Sequence, residues 1–272
     1  MRRIIVVGLV LTALMATLAG AASAGEILQG ILQRGEVRVG TAPENPPLSL
    51  RSRDNKLMGY DIDLAALLAE AMGVKLRLVP LPFPELLPAL EQGKLDLIIS
   101  GMTMSAQRNT RCLFVGPYLV SGQSLLARAE TAQRLNQPSD FNQPGVIIAA
   151  AKDTTSLAAV KELMPQAHIL EVDNQEQGLK AVLENKAHVL VAEHAFCVLA
   201  VLRFGDEQGL SLLDKPFTFE PLGIALGEDA HLVNWLENFL LTLRGTGRQE
   251  LLNQRWFKDA GWLKEMEPNR LL

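Results

Sequence analysis

The sequence predicts an α/β fold with parallel sheet. Two observations carry this expectation. Apolar runs of strand length alternate with segments of helical spacing along most of the chain. One of them, Leu97–Ile99, has the unbroken apolar character of a parallel strand buried on both faces. The length of 272 residues allows one large domain or two lobes with ample core.

The first 24 residues read as a targeting segment. Arg2-Arg3 is a charged start, Ile4 to Leu18 is almost wholly apolar, and Ala22-Ser23-Ala24 fits a small-x-small cleavage site. The apolar core is short and small residues come after it, which favours a cleaved signal peptide over an anchor. No Cys follows the apolar run, so a lipid anchor is not expected. Cleavage would leave 24 Lys and Arg against 30 Asp and Glu, a net charge of −6, with no basic tract. That balance argues against nucleic acid or an anionic membrane as partner. Cys112 and Cys197 are far apart and flanked by apolar residues, so both read as buried free thiols.

The elements then come in order. Ile27, Leu28, Ile31 and Leu32 form a helical stripe ended by Gly35, and Val37–Val39 is a strand. Asp61 reads as the cap of a helix running to Met72, closed by Gly73. Val74–Val79 is a strand, Phe83–Gln92 a helix closed by Gly93, and Leu95–Ile99 the next strand. After the loop Gln143-Pro144-Gly145 a second set begins: strand Val146–Ala150, helix Thr154–Leu163, strand His168–Val172, helix Gln175–Glu184, strand His188–Ala192, helix Glu193–Phe204. The last part is helical and holds all three Trp, which reads as packing. Two long extended stretches, Tyr118–Leu126 and Phe217–Leu226, bracket the second set.

Chemistry concentrates in Asp96 to Arg108. Ser100 to Thr103 leave the strand as a small, hydroxyl-bearing turn, Ser105 can cap a following helix, and Arg108 falls in the first turn of that helix. Backbone N–H groups, hydroxyls and one guanidinium would meet at the carboxyl end of a strand, a ready site for a carboxylate. The planar fork of Arg108 can hold such a group bidentately. Thr154, Thr155 and Ser156 stand where a strand turns into a helix and can cap it, bind an anion, or both. Glu193 ends a strand, where it could bind a cation or simply complement a helix dipole. Phe83 could be core or site, while Tyr60 reads as core. The four His have no metal spacing, and no GxGxxG, GK[ST] or GxSxG motif occurs, so neither metal nor cofactor is expected.

The turn at 100–108 resembles the signature of the periplasmic amino-acid-binding proteins, the polar amino acid class of ABC-transporter solute receptors. The resemblance extends through Gly59-Tyr60-Asp61-Ile62-Asp63-Leu64-Ala65, Phe83 to Asp96, Pro117-Tyr118, Thr154-Thr155-Ser156 and Glu220 to Ala225. It implies a two-lobed type II periplasmic-binding-protein fold with two hinge strands. Lobe 1 would be residues 25–119 plus 221–272 and lobe 2 residues 120–220. It implies a monomeric periplasmic receptor that captures an amino acid, or a similar small carboxylate, between the lobes and docks on a membrane permease. Arg108, Thr103 and the Ser100-Gly101 backbone would take the ligand α-carboxylate, Thr154-Thr155-Ser156 would close over it, Glu193 would stand where relatives carry an Asp for the α-ammonium, and Phe83 would pack on the side chain.

Some positions depart from that pattern. Asp153 replaces a Gly before the Thr pair, where a carboxylate would disfavour an anion unless it points away or caps the helix. Asn45 stands where relatives often carry an aromatic, and Ala42 where binders of basic amino acids carry an acid. The last two point away from Lys, Arg or ornithine and toward a small, polar or aliphatic ligand. An enzyme on the same fold, a cyclohexadienyl dehydratase, is the rival expectation. There Glu193 would be the acid that protonates a leaving hydroxyl.

Overall fold

The structure is a computed structural model, and it describes residues 25–135, 137–212, 216–259 and 261–266. The expected signal peptide lies outside the described residues. The strands are β1 (Glu36–Thr41), β2 (Glu44–Asn45), β3 (Ser49–Arg51), β4 (Leu57–Met58), β5 (Lys75–Pro80), β6 (Leu97–Ile98), β7 (Leu113–Ser121), β8 (Gln123–Arg128), β9 (Ile147–Ala151), β10 (His168–Val172), β11 (Val189–Glu193), β12 (Leu210–Leu212) and β13 (Glu220–Leu226). The α-helices are α1 (Glu26–Arg34), α2 (Tyr60–Met72), α3 (Phe83–Glu91), α4 (Ala129–Arg134), α5 (Thr155–Leu163), α6 (Gln175–Leu183), α7 (His194–Gln208), α8 (Ala230–Gly245) and α9 (Arg248–Asn253).

Two five-stranded sheets organise the chain, in the orders β5-β1-β6-β13-β7 and β10-β9-β11-β8-β12, beside a small sheet β2-β3-β4. In the first, β5, β1 and β6 are parallel and β13 runs antiparallel to both neighbours. In the second, β10, β9 and β11 are parallel and β8 is antiparallel to both β11 and β12. The inner strands are covered on both faces, which is why β6, β9 and most of β11 are apolar, while the edge strands β5 and β10 carry exposed charged residues. Val37, Val39 and Leu97 pack with α1, α2 and α8, while Ile98 points the other way, toward Leu86 and Leu90 of α3. That alternation is the two-residue period of a strand. In the second sheet Leu190 and Ala192 pack with α6 and α7, and Ile148 and Val191 with Leu157 and Val160 of α5.

The chain crosses from the first sheet to the second between β7 and β8, and returns between β12 and β13. The stretch expected as one extended run, Tyr118–Leu126, is broken at Gly122, because its two halves belong to different sheets. The returning stretch is a strand only from Glu220. The two crossings are bonded to each other: Gln123 N donates to Thr218 Oγ1 at 2.8 Å and Phe217 N to Gln123 O at 2.9 Å.

Asp61 is not a helix cap. Helix α2 has Gly59 at its N-cap and no side-chain cap bond. The N–H groups of Tyr60 and Asp61 donate instead to the carbonyls of Pro47 and Leu48, at 3.0 and 2.9 Å. With the first-turn amides satisfied by that passing loop, the Asp61 side chain turns inward and is fully buried. The loop comes so close that a Cβ on Gly59 would lie 2.2 Å from Leu48 O, and Gly59 holds φ 136. The expected helix after Ser105 is also shorter than a helix: Ser105 Oγ accepts from Arg108 N at 3.2 Å, but only a single 3-10 turn, Arg108–Thr110, forms. Trp256 and Trp262 are packed as expected, rings 5.4 Å apart, and both Cys are buried.

Gly59→Ala should lower the unfolding free energy by about 2–4 kcal/mol, through both the clash and the left-handed φ. Chemical denaturation measures it. A loss under about 0.5 kcal/mol would mean that the 47–49 loop yields freely to the added methyl.

Candidate functional site

The parallel strands of both sheets end at one cavity. It has a volume of ≈ 60 Å³ and is lined by Ala42, Glu44 and Asn45 after β1, Phe83 after β5, Gly101, Thr103 and Arg108 after β6, Ala151 to Ser156 without Asp153 at the end of β9, Asp173 to Gln175 after β10, and Glu193 at the end of β11. Ligands of open α/β sheets bind outside the carboxyl ends of the strands, and here two sheets present those ends to each other.

One wall carries the cation. Arg108 donates from its guanidinium to Thr103 O at 3.2 Å and to Asp153 O at 3.0 Å, so both of these acceptors are neutral. Its charged carbon stands 5.4 Å from the Phe83 ring centre. Burial holds its pKa below the ordinary arginine value. Across from it, Thr154 caps α5, accepting from Leu157 N at 3.3 Å and donating to Ala151 O at 2.7 Å. Thr155 Oγ1 is 3.4 Å from Thr103 Oγ1 and accepts from Gln123 Nε2 at 3.1 Å, while Ser156 Oγ donates to Gln123 Oε1. Asp153 explains its own departure: it sits at φ 57, a left-handed position that Gly usually fills and Asp tolerates. Its side chain is exposed and only its carbonyl meets Arg108.

The other wall carries the acid. Glu193 is buried; Oε2 accepts from Asn45 Nδ2 at 2.8 Å, and Oε1 has no partner. Burial raises its carboxyl pKa, the hydrogen bond from Asn45 and the nearby Ser121 hydroxyl oppose that, and the Glu220 charge adds to it. Gln175 completes a bridge, donating to Asn45 Oδ1 at 2.9 Å and accepting from Glu193 N at 3.2 Å. A half-buried cation on one wall and a buried carboxyl on the other fit a small molecule that carries both signs.

Of the residues expected in the site, Asn45, Phe83, Gly101, Thr103, Arg108, Thr154, Thr155, Ser156 and Glu193 line this cavity. Ser100 does not. Its hydroxyl is buried and accepts from Ala42 N at 2.8 Å, pinning the turn after β1 to the turn after β6. The expected free N–H of Gly101 is also taken, donating to the Tyr118 hydroxyl at 3.1 Å. Glu44, Lys152, Asp173, Asn174 and Gln175 join the lining without having been expected there. Their position just past strand ends is the signal that points to them. Two of them are acids, but Asp173 is paired with Lys152 of the same lining at 3.0 Å, so the negative charge near the neutral Ala42 comes from Glu44 and Glu193.

A model of the bacterial extracellular solute-binding proteins, family 3, matches residues 37–259, and the chain belongs to that family. A lysine-complexed structure from Wolinella succinogenes is similar at 37% identity and TM-score 0.82, covering 85% of this chain and 99% of that one. An ancestral amino acid-binding protein, described as a precursor of cyclohexadienyl dehydratase, is similar at 32% identity and TM-score 0.78, covering 85% and 98%. A cyclohexadienyl dehydratase of Pseudomonas aeruginosa is 26% identical over 228 residues, 84% of each chain. The fold is thus the two-lobed type II periplasmic-binding-protein fold, and the family consists of periplasmic or extracellular proteins.

Asn45→Ala should remove the bonds from one sheet's loop to Glu193 and Gln175 on the other and open the cleft. Small-angle X-ray scattering of the ligand-free protein should then give a larger radius of gyration. An unchanged scattering curve would show that this bridge does not hold the two halves together.

Proposed function

We propose that the protein is the periplasmic receptor of an ABC importer. It is exported by a cleaved signal peptide of residues 1–24, and it captures an α-amino acid between lobe 1 (25–119 plus 221–272) and lobe 2 (120–220). The observation that carries this reading is the opposition of Arg108 and Glu193 across one cavity. A zwitterion loses its hydration on entering, and each of its charges needs a fixed partner. Arg108 exchanges two neutral carbonyl acceptors for a carboxylate, and the unpartnered Oε1 of Glu193 accepts from the ammonium. The hydroxyls of Thr103 and Thr155 come from the two facing sheets, and a carboxylate at Arg108 would draw both in. The acid Glu44 in the lining extends the candidates to ligands with a basic side chain, consistent with the lysine found in the Wolinella relative. The closed form docks on a membrane permease.

The deciding measurement is a thermal-shift panel on unfolded, ligand-stripped and refolded protein, with the standard amino acids and prephenate. Micromolar affinity corresponds to about −8 kcal/mol, and ligand at a hundred times Kd adds about 2.7 kcal/mol of stability. One amino acid or a small set should shift the midpoint. Arg108→Ala should weaken its binding by about 2–5 kcal/mol in calorimetry while leaving the ligand-free midpoint nearly unchanged. Wild-type affinity in that variant would remove Arg108 from the site.

A second reading has its own observation: the raised pKa of the buried Glu193 carboxyl suits a general acid, and a relative is a dehydratase. Formation of phenylpyruvate from prephenate, lost in Glu193→Gln, would establish it over the receptor.

A further inference from the structure

Beneath the cavity floor lies a second carboxyl that the proposed binding chemistry does not use. Asp61 is fully buried; Oδ1 accepts from the Tyr118 hydroxyl at 2.9 Å and Oδ2 has no partner. The same Tyr118 hydroxyl accepts the N–H of Gly101, whose turn lines the cavity. A relay thus runs from Asp61 on α2, through Tyr118 on the crossing strand β7, to the turn that faces Glu193. Gly101 is wedged at its end. It holds φ 57, and a Cβ there would sit 2.9 Å from Asn45 Nδ2 and 3.6 Å from Glu193 Oε2.

We propose that Asp61 is a positioning residue held as the neutral acid. Through Tyr118 it fixes the Gly101 turn, and as the neutral acid it adds no second negative charge behind Glu193. The inference rests on the receptor reading for the role of Glu193, but not for the state of Asp61.

Geometry supports the neutral form. An ionised carboxylate in this position would have the Tyr118 hydroxyl on Oδ1, no partner within bonding distance on Oδ2, the Gly101 N–H only as a weaker influence, and no cation to face. Tyr118 from β7 and Glu193 from the end of β11 are the titratable groups acting on it, and neither is positive. Tyr60, next to it on α2, stacks on Tyr118 with ring centres 6.1 Å apart. Burial first, then the Glu193 charge, push the Asp61 carboxyl up to about 8, against the Tyr118 and Gly101 hydrogen bonds. Two carboxylates so placed do not both ionise readily. Glu193 has the better claim to the charge, because Asn45 donates to it at 2.8 Å and the cavity opens beside it.

Stability provides a test that needs no ligand. In the unfolded chain Asp61 would ionise near pH 4, and in the folded protein near pH 8. Between those values the folded state binds the extra proton, so stability falls as pH rises. Asp61→Asn keeps an acceptor for Tyr118 but has no proton to lose. Its melting midpoint should therefore gain on that of wild type from about pH 5 to about pH 8, then hold a constant offset. The 13C carboxyl resonance that vanishes in Asp61→Asn should titrate near pH 8 in the ligand-free wild type. Titration in the ordinary carboxylate range, or a midpoint difference that does not change with pH, overturns the proposal whatever the cleft binds. The positioning role has a separate readout. For an amino acid that scores in the thermal-shift panel, Tyr118→Phe should weaken binding about tenfold, and Asp61→Asn about twofold or less at pH 7. Equal affinity in Tyr118→Phe and wild type would sink the relay. If no amino acid scores at all, the receptor reading fails while the titration of Asp61 still decides its protonation.

Discussion

The carboxyl of Glu193 is buried at the end of a strand with one oxygen unpartnered, and the architecture of the cleft answers to that cost. A buried acceptor without a donor loses on the order of 1–3 kcal/mol, and more when it is charged. The protein relieves only half of it. Asn45 reaches across from the other sheet to Oε2, and Gln175 holds Asn45 in place while accepting the Glu193 backbone N–H. The other oxygen is left for whatever the cleft receives. Incomplete satisfaction of this kind is rare in a core and frequent where a ligand completes the hydrogen bonding.

The opposite wall obeys the same logic with the sign reversed. Arg108 is kept half-buried over Phe83, on two backbone carbonyls that cannot neutralise it. Carbonyl dipoles orient the fork without a charge that would compete with an incoming carboxylate. Of the acids that act on it, Asp153 presents its carbonyl and keeps its side chain in solvent, and the buried Glu220 stays behind the site, accepting from Thr218 Oγ1 at 3.0 Å; Glu91 is taken by Arg111 at 2.7 Å. Arg111, three residues from Arg108, is therefore the surface charge of the pair.

Much of the fold is legible in the sequence because its signals are local. Gly35, Gly73 and Gly93 stand just past the helices they are expected to close, and the apolar runs become the central parallel strands. The Arg108 turn is legible for the same reason, being one contiguous motif. The rest is set by neighbours remote in sequence. Asp61 has the local pattern of a cap, yet its amide is satisfied by Leu48, and that frees the side chain to turn inward. Ser100 has the look of a ligand hydroxyl, but Ala42 claims it. Gln175 and Asn45 are 130 residues apart and meet only because two sheets face each other. Asp153 reads in sequence as a charge intruding on an anion site, whereas its backbone conformation is what the position requires.

The cleft contacts also bear on how such a site can open. Polar bonds join the facing walls: Thr103 with Thr155, Arg108 with the Asp153 carbonyl, and Asn45 with both Glu193 and Gln175. Each can be exchanged for water at a net cost of about 0.5–1.5 kcal/mol, so together they hold the walls by a few kcal/mol. A micromolar ligand brings about 8 kcal/mol, and a ligand that bonds to both walls delivers most of it only when the walls are together. On the proposed receptor reading, the closed arrangement would be close enough in energy to an open one for a ligand to decide between them. An apolar seam of the same area would have shut the cleft permanently, whereas a seam of exchangeable hydrogen bonds leaves the choice to the molecule that enters.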